Sequence, residues 1–146
     1  MQPFFSWGGE SMVRYLIVSV VSGILFGVMD GIINANPLAQ KLFALFKPIA
    51  RKSINPLPGV VIDLVYGFIM AGVFLLLYTS LPGELGIIKG VSFGLMVWFF
   101  RVVMYNASQW MMFPVSMKTV FYSLAAGLGE MLILGVLYGL TLKPAV

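Results

Sequence analysis

The chain has 146 residues, 60% of them hydrophobic and 10% charged, with a mean hydropathy of +1.01 and a formal net charge of +4. Soluble domains carry about a quarter charged residues, so this sequence lacks the charge to coat a water-facing surface and reads as an integral membrane protein. Cysteine and histidine are both absent, which excludes disulfides, imidazole and thiolate metal sites, His-ligated haem, and Ser-His or Cys-His nucleophiles; the expectation is a non-enzyme without metal or cofactor.

Residues 1–11, MQPFFSWGGES, put Phe4, Phe5 and Trp7 ahead of the first apolar stretch, where aromatic side chains favour the headgroup level. The stretch over about 12–34 predicts the first membrane span. It is too long for a secretory signal, and no small-x-small cleavage site precedes polar sequence. Ser19, Gly23, Gly27, Gly31 and Ala35 recur four apart, so one helical face is nearly bare of side chains. Asp30 stands near the end of the same span.

Asn36 followed by Pro37 signals a new helix, a capping residue before proline in the first turn. A short amphipathic helix over about 37–51 is predicted. Leu38, Leu42, Leu45, Phe46 and Ile49 form its apolar face, Gln40, Lys47 and Arg51 lie opposite, and Pro48 ends or bends it. Two placements are open: flat in the headgroup region, or packed on its own bundle. Lys41, Lys47, Arg51 and Lys52 point to anionic lipids at loop 1 rather than to nucleic acid.

Three more spans follow, over about 59–79, 86–106 and 115–140. The Pro-Gly turn in SLPGELG predicts that the second and third are antiparallel neighbours. The expected fold is an all-α integral membrane protein: one domain over 1–146, a compact bundle of four transmembrane helices in two antiparallel hairpins. Lys41, Lys47, Arg51, Lys52, Arg101 and Lys118 lie on the side of loops 1 and 3, against Arg14, Lys89 and Lys143 on the other. This bias predicts cytoplasmic loops and outside termini, in a bacterial cytoplasmic membrane. A slide of 70 residues matches Val21, Ser22, Leu25 and Asn36 with Val91, Ser92, Leu95 and Asn106, a faint trace of a tandem two-span repeat.

Small residues stripe the other spans as well: Gly67 and Ala71 on the second, Gly86, Gly90 and Gly94 on the third, and Ser123, Gly127, Gly135 and Gly139 on the fourth. In lipid, apolar burial gives helices little drive to associate, and small residues four apart mark faces of close backbone approach. These stripes are used inside the monomer, or one of them, the long one on the first span foremost, docks another subunit or a second copy.

Asp30, Asp63, Arg101 and Lys118 are expected at similar depth on one side. A lone charge at the bilayer centre costs about 2.5–3.5 kcal/mol on insertion scales, which pairing of Asp30 with Arg101 and of Asp63 with Lys118 would offset. Alternatively, the cations extend to the headgroups. Asn34, Asn36, Asn106 and Gln109 would complete a polar layer. Glu130 lies near the middle of the fourth span with no evident cation at its depth. A buried carboxyl without counter-charge favours its neutral, hydrogen-bond-donating form, so Glu130 reads either as a structural acid or as a proton-coupled site. It is too deep to converge with Asp30 and Asp63 on a hard cation, and GVMDG and GLGE lack the phosphate-loop lysine.

Two functions follow. One is an accessory or assembly subunit of a membrane complex, or a homo-oligomer, held by the small-residue stripes. The alternative is a small oligomeric transporter or channel working through Glu130 and the charged layer. An enzyme acting on lipid through carboxylates is the weakest reading, because no paired acids share an evident pocket.

Overall fold

A computed structural model describes residues 9–144, and every regular element in them is helical. We label them α1 (Gly9–Ala35), α2 (Pro37–Leu42), α3 (Pro56–Leu77), α4 (Gly86–Trp98), α5 (Met104–Met112) and α6 (Met117–Thr141). Phe4, Phe5 and Trp7 lie outside the described residues. Four helical stretches are long and apolar enough to cross a membrane: α1, α3, the continuous run Gly86–Met112, and α6. The third extends beyond its expected end near 106 because a π-turn, Phe99–Val103, joins α4 to α5 without interrupting the helix.

The helix starts are fixed by side chains that accept otherwise unpaired backbone N–H groups. The Ala39 amide donates to Asn36 at 2.9 Å, the Leu57 amide to Asn55 at 3.0 Å and the Thr119 amide to Ser116 at 3.2 Å. Pro37 and Pro56 occupy the first turns of α2 and α3, where their missing N–H groups cost nothing.

The bundle pairs α1 with α3 and α4 with α6, and α1 also packs on α6. The two hairpins are therefore those of spans one and two and of spans three and four. Although α3 and α4 are consecutive and joined through the Pro-Gly turn, neither takes the other as its close packing partner. They meet through side chains, with the Phe74 and Phe93 rings edge-to-face at 5.3 Å. The small residues explain the choice. A Cβ on Gly23 would come within 2.9 Å of the Asp63 carbonyl, and one on Gly67 would strike the Ser19 carbonyl. In the second hairpin Gly86 faces Gly139, Gly90 faces Gly135, and a Cβ on Gly94 would lie 2.6 Å from the Met131 carbonyl. Such approaches maximise dispersion between backbones, the term that lipid leaves available. Ser19, Gly23 and Gly27 on α1 are thus covered by α3, while Gly31 faces open space.

Phe74, Phe93 and Tyr138 form the aromatic centre of the core toward the α3–α4 turn, above Met131 and Leu134. Ile32, Phe100, Phe121 and Leu140 are among the exposed apolar side chains, as expected for surfaces that meet acyl chains. At the turn, Gly83 adopts φ +89°, a conformation open to glycine at little steric cost. Lys89 is buried there, donating to the Tyr78 carbonyl at 2.7 Å and the Leu81 carbonyl at 2.9 Å, with its ammonium 4.9 Å from the Tyr78 ring centre. A cation on the C-cap carbonyl of Tyr78 also meets the negative end of α3.

Loop 1 departs from the predicted single helix over 37–51. The α-helix stops at Leu42, Phe43 leaves helical geometry, and a 3-10 turn runs Ala44–Ile49 with Pro48 inside it. The segment packs on the bundle: Ala39 is fully buried, Phe43 lies edge-on to Tyr122, Phe46 to Phe113, and Thr119 donates to the Leu42 carbonyl. Asn36 donates to the Tyr122 hydroxyl at 2.7 Å, and that hydroxyl donates to the Ile33 carbonyl at 2.5 Å. Of the predicted apolar face, Leu42, Leu45 and Phe46 are half-buried, whereas Leu38 and Ile49 are exposed, as are Lys41, Lys47, Arg51 and Lys52.

Candidate functional site

The π-turn builds the site. Just before it, the Trp98 indole N–H donates to the Leu124 carbonyl at 2.9 Å, tying α4 to α6. Within it, Val102 packs on Gly127, where a Cβ would come 2.7 Å from a Val102 methyl. A π-turn inserts one residue into the helical repeat and so re-aims the side chains it carries. Arg101, at its centre, lies over the Phe26 ring at 4.6 Å and the Tyr66 ring at 5.2 Å, and those two rings are stacked 5.2 Å apart at 6°.

Arg101 also reaches Glu130. Its Nη1 stands 3.5 Å from Glu130 Oε2 and 3.8 Å from the Met131 sulfur. This overturns two expectations. Glu130 does have a cation at its depth, and Arg101 pairs with Glu130 instead of Asp30. The contact is single-pronged and longer than the ~2.7–2.9 Å of a tight charge-assisted hydrogen bond. Glu130 is 5% exposed, and its second oxygen, Oε1, accepts no hydrogen bond from the described residues.

The other polar residues are distributed around this pair. Asp30 is half-buried, and Asn34 donates to its Oδ1 at 3.0 Å and to its carbonyl at 2.9 Å. Asp63 is set against α1 at Gly27, where a Cβ would come 2.6 Å from its Oδ2; the bare face of α1 makes room for a carboxylate as well as for a helix. Asn106 is buried but donates to the Val102 carbonyl of its own helix at 2.8 Å. Lys118 is exposed in the first turn of α6 and makes no ion pair with Asp63. The predicted four-charge layer is thus a staggered group: Asp30 and Asp63 nearer the loop ends, Arg101 and Glu130 deeper, Lys118 outside.

A cleft of about 420 Å³ connects Asp30, Arg101 and Glu130, whereas Asp63 and Lys118 do not line it. Its lining runs from Asn34 and Asn106 at the loop end, past Asp30, Tyr66, Tyr105 and Ser123, to Arg101, Gly127 and Glu130 at mid-span. Sequence reasoning missed Phe26, Tyr66 and Tyr105, which carry no signal beyond being aromatic in an aromatic-rich chain. Ser123 and Gly127 were legible only as packing residues. Among the described residues no three acidic side chains converge on one point that would hold a metal ion. The arrangement can receive a charged or polar solute from the loop end and exchange its partner, or a proton, with Glu130. No family model matches the chain, and neither a curated protein nor a solved structure matches it.

Proposed function

We propose that this four-span helical membrane protein is a small non-catalytic transporter that works through the cleft ending at Glu130. The observation that carries the reading is the state of that residue: near the middle of a span, 5% exposed, lining the cleft, held by one long contact to Arg101 and with one oxygen that accepts no hydrogen bond from the described residues. Intramembrane ionisable groups are costly and mark solute or proton routes by default. A purely structural clasp would gain from closing the 3.5 Å gap and filling both oxygens. The accessory-subunit reading drew on the small-residue stripes, and these cover one another within the chain, leaving Gly31 alone of the glycines in the α1 stripe open.

The cleft stops at mid-span, so a complete path needs rocking of one hairpin against the other, or a second copy. The Lys and Arg bias turns the mouth of the cleft to the cytoplasm. Exposed Lys41, Lys47, Arg51 and Lys52 at the same end favour anionic headgroups, each by about 1 kcal/mol near the surface.

The test is flux. The purified chain is reconstituted in vesicles with an internal pH dye and an imposed pH gradient, and inorganic cations, inorganic anions and organic ammonium compounds are supplied in turn. At least one class should dissipate the gradient, and Glu130→Gln should abolish the effect. A gradient unmoved by every class contradicts the proposal and favours a role that needs another protein.

A further inference from the structure

We infer that the cleft is a site for an organic ammonium cation, held between the carboxyls of Asp30 and Glu130 and the rings of Tyr66 and Tyr105. The inference deepens the transporter reading and rests on it for the location of the site, but not for the sign or class of the ligand. The sign comes from charge. Two carboxyls, Asp30 and Glu130, line the cleft with a single guanidinium, that of Arg101, so an anion entering the cleft adds a third acidic group, whereas a cation offsets an excess already there. Glu130 marks where it is held: the residue is 95% buried, lines the cleft, and its Oε1 has no hydrogen-bond partner among the described residues.

The class comes from size and lining. About 420 Å³ falls within the ~300–1,000 Å³ typical of sites for organic ligands. A bare metal ion needs several oxygens converging on it, and the described acids do not converge. Tyr66 and Tyr105 both line the cleft and are 36% and 60% exposed, and aromatic faces are the usual partners of alkylammonium groups. Arg101, lying on Phe26 and Tyr66 beside Glu130, occupies the deep end as a tethered cation would. The entering ammonium takes the free oxygen of Glu130 without having to displace it.

The experiment is calorimetric titration of the intact purified chain in detergent micelles. The probes are benzyltrimethylammonium, its neutral isostere neopentylbenzene, and benzoate. The cation should bind at least tenfold more tightly than either comparison compound. Glu130→Gln should weaken it tenfold or more, Asp30→Asn several-fold, and Tyr105→Leu by about fivefold, within the range of one cation–π contact. The last two positions are half-buried and exposed, so they report even if Glu130→Gln fails to fold. Equal binding of the neutral isostere, preference for benzoate, or indifference to both Asp30→Asn and Tyr105→Leu would overturn the inference. Cation binding without any vesicle flux would reject the transporter reading and leave this one standing; flux with no cation preference would do the reverse.

Discussion

Arg101 and Glu130 touch at one pair of atoms, Nη1 and Oε2, 3.5 Å apart, although each belongs to a different helix of the second hairpin and neither meets another ion pair among the described residues. Glu130 is almost fully buried and Arg101 is about one-third exposed. Removing one member of a buried pair leaves an uncompensated charge, at about 3–5 kcal/mol, whereas replacing both by apolar side chains is often neutral. Arg101→Met should therefore destabilise the bundle by about 3 kcal/mol in reversible unfolding from mixed micelles. The double variant Arg101→Met with Glu130→Met should recover most of that loss. Additive losses would mean that the two residues act independently.

Crossing points separate the glycines that matter from those that do not. Gly90→Ala puts a methyl onto the Gly135 carbonyl, whereas the Cβ of Gly31→Ala meets nothing within 4 Å. Overpacking typically costs about 1–3 kcal/mol. Gly90→Ala should lower the thermal midpoint of the purified chain, and Gly31→Ala should hold or raise it, since alanine is the better helix former. Equal midpoints would contradict the packing described for α4 and α6.

Lys89 gives the turn between α3 and α4 a fastening that its Pro-Gly sequence alone does not supply. Lys89→Met keeps the aliphatic stem and removes the two carbonyl contacts. Hydrogen bonds to charged groups contribute about 1.5–3 kcal/mol each, and the turn partly rehydrates. A net loss of about 2 kcal/mol is expected, with faster hydrogen exchange over 78–86. The rest of the bundle should retain its protection.

Tyr122 couples loop 1 to α6 through Asn36 and the Ile33 carbonyl. Tyr122→Phe removes both bonds but keeps the ring against Phe43. The cost should be about 1 kcal/mol, seen as faster proteolysis between residues 37 and 52. Unchanged cleavage would show that Phe46, Phe113 and Thr119 hold the segment unaided.

The four spans were legible because their signals are long: about twenty apolar residues each, bounded by Asn-Pro, Pro-Gly and polar breaks. The cap at Asn36 follows from local chemistry, and so does the use of small residues at crossings; the caps at Asn55 and Ser116 came from the structure. Pairing was less legible. The Pro-Gly turn says that α3 and α4 are consecutive and antiparallel, but the match of Gly86 and Gly90 to Gly139 and Gly135 is a relation between distant segments. The break in loop 1 comes at Phe43, where the ring turns toward Tyr122, ahead of the proline that local rules favour. The site itself was half visible. Glu130, Arg101 and Asp30 stood out as charges in an apolar chain, but their pairing depends on a π-turn in FFRVV. That stretch contains neither proline nor glycine, so nothing in it signals a change of helical repeat.

The central claim is that a polar cleft runs from the loop end to Glu130 in mid-span. The chain has no cysteine, so single thiols test it directly. Ser123→Cys lies on the cleft wall, and Phe121→Cys replaces an outward-facing side chain that is 64% exposed. In sealed vesicles, a membrane-impermeant maleimide supplied on the side of loops 1 and 3 should label Ser123→Cys and leave Phe121→Cys unmodified, because the reaction needs a hydrated thiolate. An unlabelled Ser123→Cys in a folded protein, with Phe121→Cys labelled instead, would contradict it.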